Sequence, residues 1–176
     1  MSEMVLDNLS KKYVLKAGFF KQVSGKAGVV SAVDQVSFQM EEGEIVGLVG
    51  ESGCGKTTLG KMLLKIEDIT SGKAYIDGVD IASVKGRRNI LDYRKKVQMI
   101  FQDPYDSLDP KFSIREIVAE PLKSLHLCKS AVEINKRVDE TLQLVELTPV
   151  SLYADRYPHQ LSGGQRQRVA IARALV

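Results

Sequence analysis

The segment Gly50-Glu51-Ser52-Gly53-Cys54-Gly55-Lys56-Thr57 constrains this chain more than any other feature. It satisfies G-x-x-x-x-G-K-[ST] and follows a short apolar run, Glu44-Ile45-Val46-Gly47-Leu48-Val49. The run reads as a strand buried on both faces of a parallel sheet. Beyond the motif, Leu59, Met62, Leu63 and Ile66 share one helical face, which predicts a helix over about 56–65. Strand, glycine loop and helix in that order make a phosphate cradle. Gly50, Gly53 and Gly55 let the loop amides, with those of Ser52 and Cys54, converge on an anion without side-chain obstruction. The helix N-terminus adds partial positive charge, and the Lys56 ammonium reaches the β and γ oxygens. Thr57 is placed to coordinate Mg²⁺, and Thr58 to touch the α-phosphate.

The rest of the composition is permissive. The chain has 176 residues, 44% hydrophobic and 27% charged, with 14 Gly and 5 Pro. These values fit one folded domain, or one with a small appended lobe, and exclude disordered and collagen-like classes. A formal charge of +3 is too small to argue for nucleic acid, so none is expected as a partner. Two cysteines, Cys54 and Cys128, supply neither a disulfide framework nor a metal cage. The start, MSEMVLDNLS, shows no basic segment followed by an apolar one, so no secretion signal is expected. No apolar run approaches the roughly 20 residues of a membrane span, so direct insertion is not expected either.

Around the cradle the pattern changes twice. Met4-Val5-Leu6 and the alternating Val33, Val36, Phe38 and Met40 predict antiparallel strands, with 16–28 as a solvated loop between them. Further strands are predicted at 73–76, closed by an Asp77-Gly78 turn, and at 97–101. From Phe112 to Tyr157 the period is helical. Ser113 with Glu116 and Ser130 with Glu133 have capping-box spacing, ahead of helices over roughly 114–126 and 131–146. The fold class is α/β.

A second glycine turn, Leu161-Ser162-Gly163-Gly164-Gln165, opens a last helical stretch in which arginines alternate with Val, Ile and Leu. Ser162 and Gln165 also fit a capping box, but a cap does not need two glycines inside it. Bare amides at a helix N-terminus form a second anion site. One chain has little use for two γ-phosphate sites unless they face each other across a dimer.

At this point the sequence resembles the nucleotide-binding subunits of ABC transporters, whose signature reads LSGGQ. The resemblance runs from about residue 4 to the end, with the motifs in family order. It implies a RecA-like P-loop core: an antiparallel β part over 1–43, the core to the Q-loop over 44–111, a helical part over 112–160, and the signature motif and helix over 161–176. It implies ATP with Mg²⁺, gripped by Gly50 to Thr58. It makes Gln102 the Q-loop glutamine, which would ligate Mg²⁺ and orient water, and Tyr13 the match to the aromatic that stacks on adenine, with Phe19 and Phe20 as rivals. Ser162, Gly163, Gly164 and Gln165 would contact the nucleotide of a second ATP-binding subunit, in a homo- or heterodimer. Gln102-Asp103-Pro104-Tyr105-Asp106-Ser107-Leu108-Asp109-Pro110 and Arg156-Tyr157-Pro158-His159-Gln160 look like the oligopeptide, dipeptide and nickel importers.

The resemblance therefore implies the ATP-binding subunit of a peptide importer, peripheral on the cytoplasmic face of the membrane. A groove between Gln102 and the helical part would receive a permease helix. A nickel or other solute importer, a soluble non-transport ABC ATPase and an inactive nucleotide-binding fragment are the alternatives. The family's chemistry also needs a Walker B aspartate, a water-polarising glutamate, a D-loop and a switch histidine after the signature helix. None is found, so the chain reads as C-terminally truncated and unable to hydrolyse ATP efficiently alone. Asp77, before Gly78, reads as a turn residue rather than the Walker B aspartate, and His126 and His159 lie too early to be the switch. An unpaired sheet edge beside the apolar run is expected.

Overall fold

The structure is a computed structural model that describes residues 3–14, 28–101 and 107–176. Its backbone divides into two units, Met1–Tyr93 and Arg94–Val176. The expectations for Gln102, Phe19 and Phe20 lie outside the described residues.

In the first unit, β1 (Met4–Val14) pairs antiparallel with β2 (Val29–Met40) on one side and β3 (Ser71–Ile76) on the other. A short β4 (Val79–Asp80) completes the order β2-β1-β3-β4. The alternation in β2 holds with one slip. Val33 is buried and Val36, Phe38 and Met40 are half-buried, but two exposed residues, Asp34 and Gln35, separate the first pair, and Gln35 takes a φ of 50°. Its partner strand slips opposite, with Asn8 at φ 49°. The irregular register between Leu6 and Leu9 lets Leu9, Ser10 and Lys11 all be buried in succession, which strict alternation forbids. The β3–β4 connection is the expected tight turn, with Asp77 at φ 51° and Gly78 at φ 72°.

Helix α1 (Lys56–Leu63) buries Leu59 and Met62. Ile66, expected on the same face, lies past the helix end and is 53% exposed. Helix α2 (Arg87–Lys96) was not anticipated from the sequence. Its apolar periodicity is sparse, and Tyr93 is its one buried residue. The Tyr93 hydroxyl donates to the Leu63 carbonyl at the end of α1.

Two expected strands do not form. Residues 44–49 run as irregular backbone, with Ile45 and Val49 each 95% exposed. Residues 97–101 do likewise, leaving Ile100 and Phe101 exposed. An apolar run becomes a buried strand only when neighbours supply its backbone hydrogen bonds and cover its faces. Among the described residues every strand pair is antiparallel, and none includes either segment.

The second unit is helical. α3 (Ile114–Ser124), α4 (Ala131–Leu144) and α5 (Gly163–Leu175) pack around Ile114, Val118, Leu122, Val138, Leu142 and Val169, all fully buried. Both expected caps exist, in different forms. At α3 the Ser113 and Glu116 side chains each bond the other's amide, and the amide and hydroxyl of Ser113 hold the Glu116 carboxyl below the usual carboxylate range. At α4, Ser130 accepts from the Glu133 amide, but Glu133 reaches one residue further back, to the Lys129 amide at 2.9 Å. The early amides of α3 are also paired, Ile114 with the Arg156 carbonyl and Arg115 with that of Ala154, both at 2.8 Å. Arg168 on α5 closes the other end of α4, reaching the Glu146 carbonyl at 3.1 Å and its carboxylate at 3.1 Å.

Burial raises the Tyr93 phenol to about 12 from an ordinary 10.0. Its stabilisation is fully present below the unfolded value and is lost as pH rises through about 12. Ultraviolet titration should find one tyrosine ionising late, and Tyr93→Phe should remove that step. The same change should cost about 0.5–1.5 kcal/mol in urea unfolding. Leu122→Ala, in the helical core, should cost about 2–5 kcal/mol.

Candidate nucleotide site

Of the strand, loop and helix expected around the motif, the helix forms at the expected place and the strand does not. α1 begins at Lys56 on Gly55, whose φ is 98° and whose position carries no side-chain cap bond. A Cβ on Gly55 would stand 2.1 Å from the Ala32 carbonyl oxygen, so only glycine lets the loop lie against β2 here. No acidic residue occupies the first turn of α1, and its early amides lack a side-chain acceptor from the cap. That arrangement presents uncompensated donors to an anion.

Lys56 occupies the centre of the loop. Its Nζ donates to the carbonyls of Gly50 and Glu51, both at 2.6 Å, and lies 3.4 Å from Cys54 Sγ. An ammonium has three donors, and these three loop groups take them. Cys54 is exposed, and its Sγ would lie 2.6 Å from a Cβ on Gly50, so the thiol closes over the start of the loop. Ser52, Gly53 and Thr57 are exposed and Thr58 is half-buried on α1.

Tyr13 stands on β1, opposite Val30 of β2, while Lys11 of the same strand stands opposite Val33. The Ala32 carbonyl that Gly55 approaches lies between these two β2 residues. The aromatic and the end of the cradle therefore meet the same stretch of one strand. Tyr13 is half-buried, with the Lys11 ammonium 5.0 Å from its ring centroid. Lys11 pairs with Glu67 at 3.0 Å and donates to the Asp68 carbonyl at 2.8 Å. The hydrogen bond from Lys11, its charge, a bond from Tyr13 and the charge of Lys61 hold the Glu67 carboxyl below the usual range, outweighing partial desolvation. Strict alternation along β1 conceals Lys11, because the bulge at Asn8 is what turns it inward. Glu67 could have been suspected only as an acid just past a helix that opens a phosphate loop.

In the helical unit, Leu161 is buried and Ser162, Gly163 and Gly164 are exposed at the start of α5. Here the capping box forms in full, with the Ser162 amide to Gln165 Oε1 at 3.0 Å and the Gln165 amide to Ser162 Oγ at 3.3 Å. The cap and the anion site are thus not rivals. The box fixes where the helix starts and leaves the Gly163 and Gly164 amides at its exposed N-terminus. A Cβ on Gly164 would meet nothing within 4 Å, so internal packing does not account for that glycine. Just before it, the Tyr157 and His159 rings stack at 5.8 Å.

The donor set suits a magnesium nucleotide. No group of three or more His, Cys, Asp or Glu among the described residues forms a metal cage. The exposed Thr57 hydroxyl at the mouth of the loop is the kind of single ligand a phosphate-bound Mg²⁺ takes from protein.

These motifs and this architecture define a class: the chain belongs to the ABC transporter family, whose sequence profile, described as ABC transporter, matches residues 33–176. Among curated relatives, the oligopeptide transport ATP-binding protein OppF of Lactococcus lactis subsp. lactis is 46% identical over 176 residues, covering 99% of this chain and 53% of that protein. OppF of Bacillus subtilis is 47% identical over 148 residues, covering 84% of this chain and 48% of its own. The chain thus spans about half the length of the curated relatives it matches. Among solved structures, the ATP-binding cassette MJ0796, in a dimeric post-hydrolysis state bound to ADP and Pi, matches at a TM-score of 0.80. It is 34% identical, over 98% of this chain and 68% of that one.

Gly55→Ala should fail by geometry rather than by charge. The added methyl group would have to displace the Ala32 carbonyl, so the thermal midpoint should fall and nucleotide binding should be lost with it. Gly53→Ala, whose methyl meets nothing within 4 Å, keeps only the cost of its φ of 82°. It should destabilise by about 1–2 kcal/mol.

Proposed function

We propose that this chain is the ATP-binding part of an ABC importer for peptides and couples ATP binding and hydrolysis to uptake. The observation that carries the reading is the pairing, in one chain, of a loop closed on its own lysine with an exposed, glycine-lined helix N-terminus. The chain's relatives, which are oligopeptide and dipeptide transport ATP-binding proteins, favour peptides over nickel and favour a transporter over a soluble ATPase.

In this reading ATP binds where Lys56 now satisfies itself on the Gly50 and Glu51 carbonyls, and the ammonium exchanges those oxygens for β and γ phosphate oxygens. The amides from Ser52 to Thr57 hold the phosphates, Thr58 touches the α-phosphate, and Tyr13 stacks on the base. Mg²⁺, held by Thr57 and Gln102 with phosphate oxygens, would neutralise charge on the phosphates. Ser162, Gly163, Gly164 and Gln165 serve the nucleotide held by a second ATP-binding subunit. A permease docks beside Gln102, on the cytoplasmic face of the membrane. No helix among the described residues is long and apolar enough to cross a bilayer, and attachment runs through that partner. Residues 1–176 supply grip and orientation. None of these residues is a carboxylate placed to polarise the attacking water, so in this reading they bind ATP without turning it over efficiently by themselves.

Lys56→Ala should remove a charge-assisted phosphate contact worth about 1.5–3 kcal/mol and weaken ATP binding about tenfold to a hundredfold in calorimetry. Ser162→Ala and Gly164→Ala should leave ATP affinity of the single chain nearly unchanged while reducing ATP-dependent association in sedimentation. Loss of monomer binding in either variant would contradict the facing-subunit arrangement.

A further inference from the structure

Lys11 is one of two polar or charged residues among the described ones that are buried, at 9% exposure; the other, Ser10, precedes it. Lys12, next in the chain, is exposed. Burying an ammonium is costly unless it is paired and hydrogen-bonded. Each of its contacts is local to one place: the Glu67 carboxylate at 3.0 Å, the Asp68 carbonyl at 2.8 Å and the Tyr13 ring at 5.0 Å. Tyr13 also helps to hold the Glu67 carboxyl below the usual range, after Lys11. Tyr13 is therefore faced by a cation that its counter-ion, Glu67, holds in place.

The segment that carries Glu67 is itself tied at both ends. The Ile66 and Glu67 amides bond the Lys61 carbonyl at 2.9 and 3.2 Å, fixing the segment to the end of α1. Thr70 bonds β1 twice, through its amide to the Ser10 carbonyl and through its hydroxyl from the Lys12 amide, both at 3.0 Å. The segment just past the helix that opens at the phosphate cradle thus carries the acid that pairs with Lys11.

We propose that Lys11 is a positioning residue for nucleotide-base recognition, holding Tyr13 through the Lys11–Glu67 pair so that a purine stacks on the ring face that Lys11 does not cover. This rests on the reading in which Tyr13 stacks on adenine, and it adds how the ring is fixed relative to the cradle. A ring fixed before binding loses little freedom on stacking, so the pair raises affinity for ligands that carry a base. Ligands made of phosphate alone gain nothing from it.

The test compares ATP with inorganic tripolyphosphate on the full chain by calorimetry. Lys11→Gln should weaken ATP binding about three- to tenfold, the range of a lost cation–π contact. It should leave tripolyphosphate within about twofold, and Lys11→Arg should restore ATP binding. If Lys11→Gln does not fold, Glu67→Gln, at a partly exposed carboxylate, should show the same selective loss. Equal losses for both ligands, or none for ATP, would overturn the proposal by making the pair merely structural or inert. Tyr13→Leu separates the two levels. If it weakens ATP alone and makes Lys11→Gln silent in its background, the proposal stands. If it weakens ATP alone but Lys11→Gln has no effect in either background, stacking survives and the positioning role is wrong. If Tyr13→Leu leaves the ratio of ATP to tripolyphosphate affinity unchanged, stacking itself is wrong.

Discussion

The contact on which the first unit depends is the approach of Gly55 to the Ala32 carbonyl. It lets a loop with no hydrogen-bonded strand behind it keep a defined place against the β1–β2 hairpin. Three consequences follow from a missing methyl group: α1 starts at Lys56, the loop closes over the Lys56 ammonium, and the cradle ends beside the strand residues that face Tyr13 and Lys11. The electrostatics of the site are arranged around the same point. An uncapped helix start without acids offers donors to an anion, and the lysine that would meet the anion is held meanwhile by main-chain oxygens.

The helical unit solves a different problem by similar means. A helix N-terminus open to a ligand is prone to fray, and two glycines make it more so. Ser162 and Gln165 bond each other's amides, Leu161 is buried in front of them, and Val169, Ala170 and Ala172 are buried behind. Arg168 ties the same helix to the end of α4. The exposed glycines thus stand on a helix fixed at several points, which is how a main-chain site can be both accessible and ordered.

What the sequence made legible follows from how local each signal is. The start of α1, the Asp77-Gly78 turn and the caps at Ser113, Ser130 and Ser162 are set by neighbours within a few residues, and all stand where they were expected. The strands expected at 44–49 and 97–101 depended on partners elsewhere. Among the described residues no partner pairs with them, so apolar composition alone did not make them strands. α2 escaped notice because its inward face is nearly a single tyrosine. Lys11 was hidden for a subtler reason: a bulge around Asn8 and Gln35 turns a residue inward that strict alternation assigns to solvent. Its partner Glu67 lies 56 positions away, and that pairing is visible only in three dimensions.

The central claim is that the loop from Gly50 to Thr58 is a nucleotide cradle closed on its own lysine. Backbone amide chemical shifts recorded while MgATP is added test it most directly. The account predicts saturable shifts at Gly53, Gly55, Lys56 and Thr57, with little change in the buried core of α3 and α4. Saturable binding that leaves those four amides unmoved, or shifts confined to the helical unit, would contradict it.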